Sequence, residues 1–337
     1  MKYLVSALVL FLVPITVSAQ FDIPGLGGTD SIRVSPAYPK PNERIELTLT
    51  SISHDLGNST ITWRKNGTLL TEGVGATRLE IVGGALGEKI EITAESDSGD
   101  VHAEALIVPS RVDMLWEGDT YTPPFYRGRA LPSAGAQIRI EAVPHLYKSG
   151  SEIDPTQLTY TWKHNGTTLA FQSGRGKSSA TIDSSFFSDV SVVSVQVATA
   201  DTAVTGEGSV RIDARTPELF LYEESPLFGI LYHRALTTSN LIQNTEATFV
   251  ALPYFAPAHS ATAQELSYEW EVNRTPVSAE KRRPNVLTIN AEKSTGLASV
   301  SLTVTHTRNV FFEASGIWNM IFGLNGSGGT SPFTNTL

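Results

Sequence analysis

Cysteine is absent from the 337 residues. No disulfide framework can form and no lipid can be attached through a cysteine, so whatever folds here is held by its hydrophobic cores. Positive charge is scarce as well. The 25 Lys and Arg stand against 34 Asp and Glu, a formal net charge of −9, and the one basic cluster is the short Lys281-Arg282-Arg283. Such a chain repels a phosphate backbone, which argues against nucleic acid as a partner. Catalytic signatures are missing too: there is no G-x-S-x-G, no H-E-x-x-H and no phosphate-binding Gly-rich loop with its Lys. Nucleophilic, zinc-hydrolytic and nucleotide chemistry therefore lack a motif, and no catalytic residue is expected. His54, His102, His145, His164, His233, His259 and His306 never stand at i, i+2 or i, i+4 spacing, so none forms a ready ligand pair for a metal.

Long apolar runs occur only at the start. Residues 1–19 combine Lys2, an apolar stretch over 4–17 and the small residues Ser18 and Ala19, the pattern of a secretory signal peptide cut after Ala19. The apolar stretch falls short of the ~20 residues that span a bilayer, which makes an uncleaved anchor the lesser reading. The remainder is expected to be exported, to the cell envelope surface or beyond, and an exported chain without cysteine points to a bacterial setting. Residues 20–30 are Gly-rich and lack periodicity, and are expected to be a flexible leader.

What the chain does contain is repetition. Tyr160-Thr161-Trp162-Lys163-His164-Asn165-Gly166-Thr167 has an earlier copy, Ile61-Thr62-Trp63-Arg64-Lys65-Asn66-Gly67-Thr68, and a later, weaker one, Tyr268-Glu269-Trp270-Glu271-Val272-Asn273-Arg274-Thr275. In each, Trp alternates with polar residues and the run closes on a turn, which is how a half-buried strand enters a hairpin. Trp63, Trp162 and Trp270 are therefore expected to anchor one core each.

Around these anchors lie short alternating runs such as Arg44-Ile45-Glu46-Leu47-Thr48-Leu49-Thr50 and Gln137-Ile138-Arg139-Ile140-Glu141-Ala142-Val143, with turn residues between them and no convincing amphipathic helix. That pattern predicts an all-β protein of three tandem β-sandwiches, over 31–110, 111–215 and 216–312. The second and third units track each other. Leu221-Tyr222-Glu223 matches Leu115-Trp116-Glu117, Arg234-Ala235-Leu236 matches Arg129-Ala130-Leu131, and Leu252-Pro253 matches Val143-Pro144, at an offset between 105 and 109 residues. Only a duplicated unit sustains an offset over so many separate features. The junctions at Pro109-Ser110 and Arg215-Thr216-Pro217 are short, which predicts a semi-rigid rod.

The Trp strands and their hairpins resemble those of immunoglobulin-like and PKD-like domains in bacterial surface proteins. The likeness covers roughly 31–308, without the W-D-F-G-D-G run of the best-defined PKD domains and without the paired cysteines of antibody domains. Such families imply adhesive, spacing or scaffold roles and no shared catalytic residues. The expected function is thus a non-enzymatic exported scaffold or adhesion protein of the cell surface, with a protein or surface-polymer partner in the envelope. The alternative is a carbohydrate-binding accessory, whose stacking rings would be Tyr121, Phe125 and Tyr126 with Tyr222, Phe228 and Tyr232 in the sister copy.

Two further features carry expectations. Glu117 and Asp119, with Glu223 and Glu224 at the same place in the sister unit, are weak candidates to gather a Ca²⁺; no other cofactor is implied. After the third unit, residues 313–337 form an apolar and then polar tail. Ile317, Met320, Ile321 and Leu324 fall at i, i+3, i+4 and i+7, with Trp318 and Phe322 widening the stripe, so a short helix here would be a docking element for a membrane interface or a partner's groove. The competing reading of that stretch is a final strand packed on its own domain.

Overall fold

The computed structural model describes residues 30–186, 188–291 and 296–322. The expected signal peptide, nearly all of the leader, and Leu324 with the polar end of the tail lie outside these residues. The chain divides into two compact units on either side of the Pro109–Ser110 bond. The first holds one β-sandwich and the second holds two.

In sandwich 1 the strands are β1 (Asp30–Ser35), β2 (Arg44–Ser51), β3 (Thr60–Lys65), β4 (Thr68–Val74), β5 (Arg78–Val82), β6 (Ile90–Ser96) and β7 (His102–Ile107). They form one sheet in the order β1-β2-β5 and a second in the order β4-β3-β6-β7. Strict alternation makes this possible. Ile45, Leu47 and Leu49 on β2 face inward while Arg44, Glu46 and Thr50 face water, and the core adds Ile61, Trp63, Ile90 and Ile92 from the facing sheet.

Sandwich 2 repeats the plan with β8 (Arg111–Gly118), β9 (Gln137–His145), β10 (Tyr147–Lys148), β11 (Ser151–Glu152), β12 (Thr159–His164), β13 (Thr167–Thr168), β14 (Gly174–Arg175), β15 (Ser179–Asp183), β16 (Val190–Ala198) and β17 (Thr205–Asp213). Its sheets run β15-β9-β8 and β13-β12-β16-β17, with β14 also on β12 and the short β10-β11 ladder apart.

Sandwich 3 contains β18 (Glu218–Ser225), β19 (Gly229–Ala235), β20 (Ser239–Ile242), β21 (Glu246–Tyr254), β22 (Leu266–Val272), β23 (Thr275–Val277), β24 (Val286–Asn290), β25 (Gly296–His306) and β26 (Glu313–Phe322). The same three-on-four plan recurs, enlarged at two edges: β19-β18-β21-β24 faces β20-β26-β25-β22-β23. β20 joins β26 in parallel, whereas the other ladders among the described residues are antiparallel. Helix among those residues is confined to two three-residue 3₁₀ turns, Pro155–Gln157 and Ala170–Gln172.

The anchoring tryptophans occupy one place in all three copies. Trp63, Trp162 and Trp270 are 0%, 0% and 2% exposed. Each indole N–H donates to a carbonyl two residues before the last strand of the facing sheet, Ala76 at 2.6 Å, Lys177 at 2.9 Å and Pro284 at 2.9 Å. The polar edge of a buried ring thereby ties the two sheets together. At the hairpin that follows, Asn66, Asn165 and Asn273 take positive φ values of 49°, 48° and 54°. Each side-chain oxygen accepts the backbone N–H of the neighbouring strand's start, Glu91, Val192 and Ser299, at 2.8–2.9 Å, and each backbone N–H donates to the carbonyl of the same residue. A short Asn side chain suits both the left-handed turn and the reciprocal clamp.

One expectation is corrected here. The run from Ile317 is no helix but the second half of β26, the strand of the competing reading, which pairs with β25 along ten residues and with β20 along four. Trp318, Met320 and Phe322 enter the core of sandwich 3, whereas Ile317 and Ile321 face outward. The period of two prevails because β25 offers an open ladder of backbone groups that only a strand can satisfy.

Candidate functional site

The densest gathering of polar and aromatic side chains lies where sandwich 2 meets sandwich 3. The connection between β8 and β9, residues 119–136, reaches across to the next sandwich. Tyr121 donates its backbone N–H to Ala256 at 2.7 Å and accepts that of Phe255 at 2.8 Å, a pair of main-chain bonds like one rung of a sheet. Tyr126 stands edge-on to Tyr254 and Phe255 at ring separations of 6.1 and 5.8 Å, and Phe125 edge-on to Tyr232 at 5.9 Å. Beneath them Tyr222, Val250 and Leu252 form a second small core on the outer face of the β19-β18-β21-β24 sheet, and the Tyr222 and Tyr254 hydroxyls share a hydrogen bond of 2.9 Å. Burial pushes the Tyr121 phenol up to about 12, and burial raises Tyr254 and Tyr232 as well.

A second contact completes the junction. Asn309, in the turn between β25 and β26, donates its side-chain amide to the Ala134 carbonyl at 2.8 Å. Phe311 lies against Phe186 at 4.9 Å, and the Phe186 ring crosses Gly135 so closely that a Cβ there would meet it at 2.1 Å. Gly135 also holds φ +72°, so this approach requires glycine. His306, Asn309, Phe186 and Phe255 escape sequence reasoning. Phe186 and Phe255 signal themselves only as aromatic doublets, Phe186-Phe187 and Tyr254-Phe255, while His306 and Asn309 carry no local signal.

The structure thus brings Tyr121, Phe125, Tyr126, Tyr222 and Tyr232 to one place. Their rings meet at interplanar angles of 53–81°, edge to face or tilted, and none makes a coplanar platform. Phe228 is apart from them, at the tip of the β18–β19 hairpin.

The four calcium candidates are not brought together. Glu117 faces Arg139 at 3.3 Å, Asp119 faces His259 at 3.4 Å, Glu223 faces Arg234 at 3.3 Å and Glu224 faces Arg283 at 2.8 Å. Glu117, Glu223 and Glu224 each face an arginine, and a carboxylate beside a guanidinium brings little net charge to an ion; among the described residues no three His, Asp or Glu side chains converge as metal ligands. His102 lies between Glu104 and Glu95, at 3.1 and 3.0 Å, and hydrogen bonding to Glu104 is the main cause of its raised pKa. Along β8 and β9, Leu115, Trp116, Glu117, Arg139 and Glu141 line an open, shallow recess, with the Arg129 guanidinium 4.5 Å over the Trp116 ring. None of these arrangements sets a nucleophile against a base.

Three sandwiches share one strand order, one Trp position with its carbonyl partner, and one Asn clamp. The chain is a tandem array of immunoglobulin-like β-sandwiches. No family model matches the array, and no curated protein matches it. Solved structures similar to it include the three N-terminal domains of the bacteriophage RB49 highly immunogenic outer capsid protein, at 12% identity over 87% of this chain and 98% of that one, with a TM-score of 0.24. The central fibronectin-III array of RIM-binding protein is similar at 12% identity, over 85% of this chain and 94% of that one, TM-score 0.28. So is SGBP-B of the Bacteroides ovatus mixed-linkage glucan utilization locus, solved with a mixed-linkage heptasaccharide, at 13% identity over 88% of this chain and 70% of that one, TM-score 0.23.

Proposed function

We propose that this array is a non-enzymatic, exported scaffold of a bacterial cell envelope, whose sandwiches carry an interaction surface for a protein or a surface polymer. The junction of sandwiches 2 and 3 supports this reading best. Its rings pack edge to face and its main chains bond across the boundary, which fastens two sandwiches into one body. Holding domains in fixed register is what a spacer needs, and it engages the side chains that a sugar platform would require. The charge pattern agrees, since Glu117, Glu223 and Glu224 sit beside arginines instead of forming a reactive pair.

One observation favours the second reading, a carbohydrate-binding accessory: Phe125 keeps 86% of its surface exposed beside the junction. Affinity capture from the native envelope with a tagged chain, read beside a glycan array, separates the two. Recovery of a specific protein or envelope polymer supports the scaffold. Repeated binding of one glycan without protein partners, abolished by Phe125→Ala, replaces it with the accessory. Sequencing the N-terminus of the envelope-associated protein tests export, with Gln20 as the expected first residue; a chain retained in the cytosol with Met1 intact sinks the localisation.

A further inference from the structure

We propose that the junction of sandwiches 2 and 3 is an acid-released hinge: protonation of His306 frees the turn that carries Asn309 from sandwich 2, while the main-chain rung at Tyr121 stays in place as the pivot. The hinge follows from the geometry of the junction and holds whatever the array binds.

Different segments of sandwich 3 close the two sides of the junction. On one side is the segment 254–257, where Phe255 and Ala256 share main-chain bonds with Tyr121 and where the Tyr254 and Phe255 rings receive Tyr126. On the other is the turn 307–312, where the Asn309 amide donates to the Ala134 carbonyl at 2.8 Å and Phe311 lies against Phe186. Asn309 is oriented for that bond within its own turn, since its side-chain oxygen accepts the Phe311 N–H at 3.2 Å. Its amide nitrogen also packs over Gly135, where a Cβ would meet it at 2.9 Å.

His306 stands between the two sides and is bonded to both. Only 9% of the residue is exposed. Its Nδ1 accepts the N–H groups of Arg308 and Asn309 at 3.1 and 2.9 Å, and a further bond joins the ring to the backbone at Pro257, next to the Tyr121 rung. Backbone N–H groups only donate, so Nδ1 has to keep its lone pair. A proton there sets one N–H against two others, and the turn has to move away. The bond at Pro257 favours the charged ring and survives. Acid therefore attacks one side of the junction and spares the other.

The charged groups nearby agree with this. Burial lowers the His306 pKa and Arg308 adds to it, against the opposing pull of Pro257 and Glu265; Arg308 and Glu265 are paired with each other at 3.4 Å. From sandwich 2, the insert 119–136 brings Asp119, Arg127 and Arg129, and the β15–β16 connection brings Asp189. Asp119 reaches across to His259 at 3.4 Å, a pair that carries opposite charges only when that imidazole is protonated. Acid thus adds attraction beside the pivot while it removes the Asn309 contact. A ring that must be neutral to hold its turn makes the closed junction stable above about pH 6.5 and progressively weaker below it.

Because the chain has no cysteine, two can be introduced and labelled, Phe171→Cys in sandwich 2 and Leu227→Cys in sandwich 3, at side chains 96% and 80% exposed. Single-molecule energy transfer between the two dyes on the full chain then reads the hinge. At pH 7.5 the distance distribution should be single and narrow. At pH 5 it should broaden and shift while circular dichroism remains that of folded sandwiches. Asn309→Ala should give the broad distribution at both pH values, whereas His306→Asn, whose amide oxygen can accept the same two N–H groups without titrating, should stay narrow at both. A parent distribution unchanged between pH 7.5 and pH 5 overturns the proposal, as does an Asn309→Ala protein as narrow as the parent at pH 7.5 or a His306→Asn protein that opens in acid. Acid broadening that comes only with loss of the β-sheet signal overturns it too, since the response is then unfolding.

Discussion

His306 accepts the backbone N–H of Asn309 at its Nδ1, at 2.9 Å, and the Asn309 side chain passes the connection on to the Ala134 carbonyl of sandwich 2. The same nitrogen accepts the Arg308 N–H at 3.1 Å. A protonated ring has no lone pair at Nδ1, so this turn exists only with neutral histidine. Burial lowers the His306 pKa; a backbone bond at Pro257 and nearby Glu265 oppose the shift, and Arg308 adds to it. A folded pKa below the unfolded value means stability that is present above about pH 6.5 and lost as pH falls below it. Calorimetry of the full chain should therefore show the transition of sandwiches 2 and 3 moving down between pH 7.5 and pH 5. His306→Gln should start lower and respond less to pH. Equal pH slopes in the two proteins would remove His306 from the account.

Replacing Trp63 by Ala should cost roughly 3–5 kcal/mol in sandwich 1, since a fully buried indole leaves a large cavity, and should leave the second unit's melting in place. Trp162→Ala or Trp270→Ala should instead lower the transition of the two joined sandwiches. Trp→Phe at any of the three keeps most of the volume but orphans a carbonyl, for about 1–3 kcal/mol. Chemical denaturation followed by intrinsic fluorescence and circular dichroism measures each, and a Trp63→Ala protein as stable as the parent would disprove the anchoring role.

The hairpin turns offer a pair of opposite outcomes. Asn165→Ala removes the clamp on Val192 and puts a Cβ residue without a polar side chain at φ +48°, for about 1–2 kcal/mol lost. Arg274 holds φ +65° where the first two copies of the turn have Gly67 and Gly166. Arg274→Gly should thus stabilise sandwich 3 by about 0.5–1 kcal/mol. Melting curves of the two variants should shift in opposite directions.

Tyr126→Ala deletes two edge-to-face contacts at the junction, worth about 0.5–1.5 kcal/mol each. The shared transition of sandwiches 2 and 3 should broaden or split in scanning calorimetry. Phe125→Ser, at a ring that is mostly in water, should change stability by less than about 0.5 kcal/mol. A single sharp transition in Tyr126→Ala would mean that the main-chain rung at Tyr121 and the Asn309 bond hold the junction by themselves.

The array was legible from local pattern because its defining features are local. Alternation over five to nine residues, a Trp in the strand before the hairpin and Asn at a left-handed turn are all set within one hairpin. The run at Ile317 shows where that reading weakens. Its apolar residues satisfy helical spacing, yet Ala314, Gly316, Trp318, Met320 and Phe322 also fall on one side of a strand, and a short run apolar on both faces fits either period. The open edge of β25 decided between them, and that edge is formed by residues remote from the run's own periodicity.

The sequence by itself determined the alternating strands, their turns and the three tryptophan anchors, since each follows from residue preferences over a few positions. Only the tertiary structure decided which aromatic side chains join two sandwiches and which stay in water, and which carboxylate faces which cation. Tyr126 meets Tyr254 and Glu224 meets Arg283 across long stretches of chain, where the packing of sheets, and not any spacing along the sequence, sets the distance between side chains.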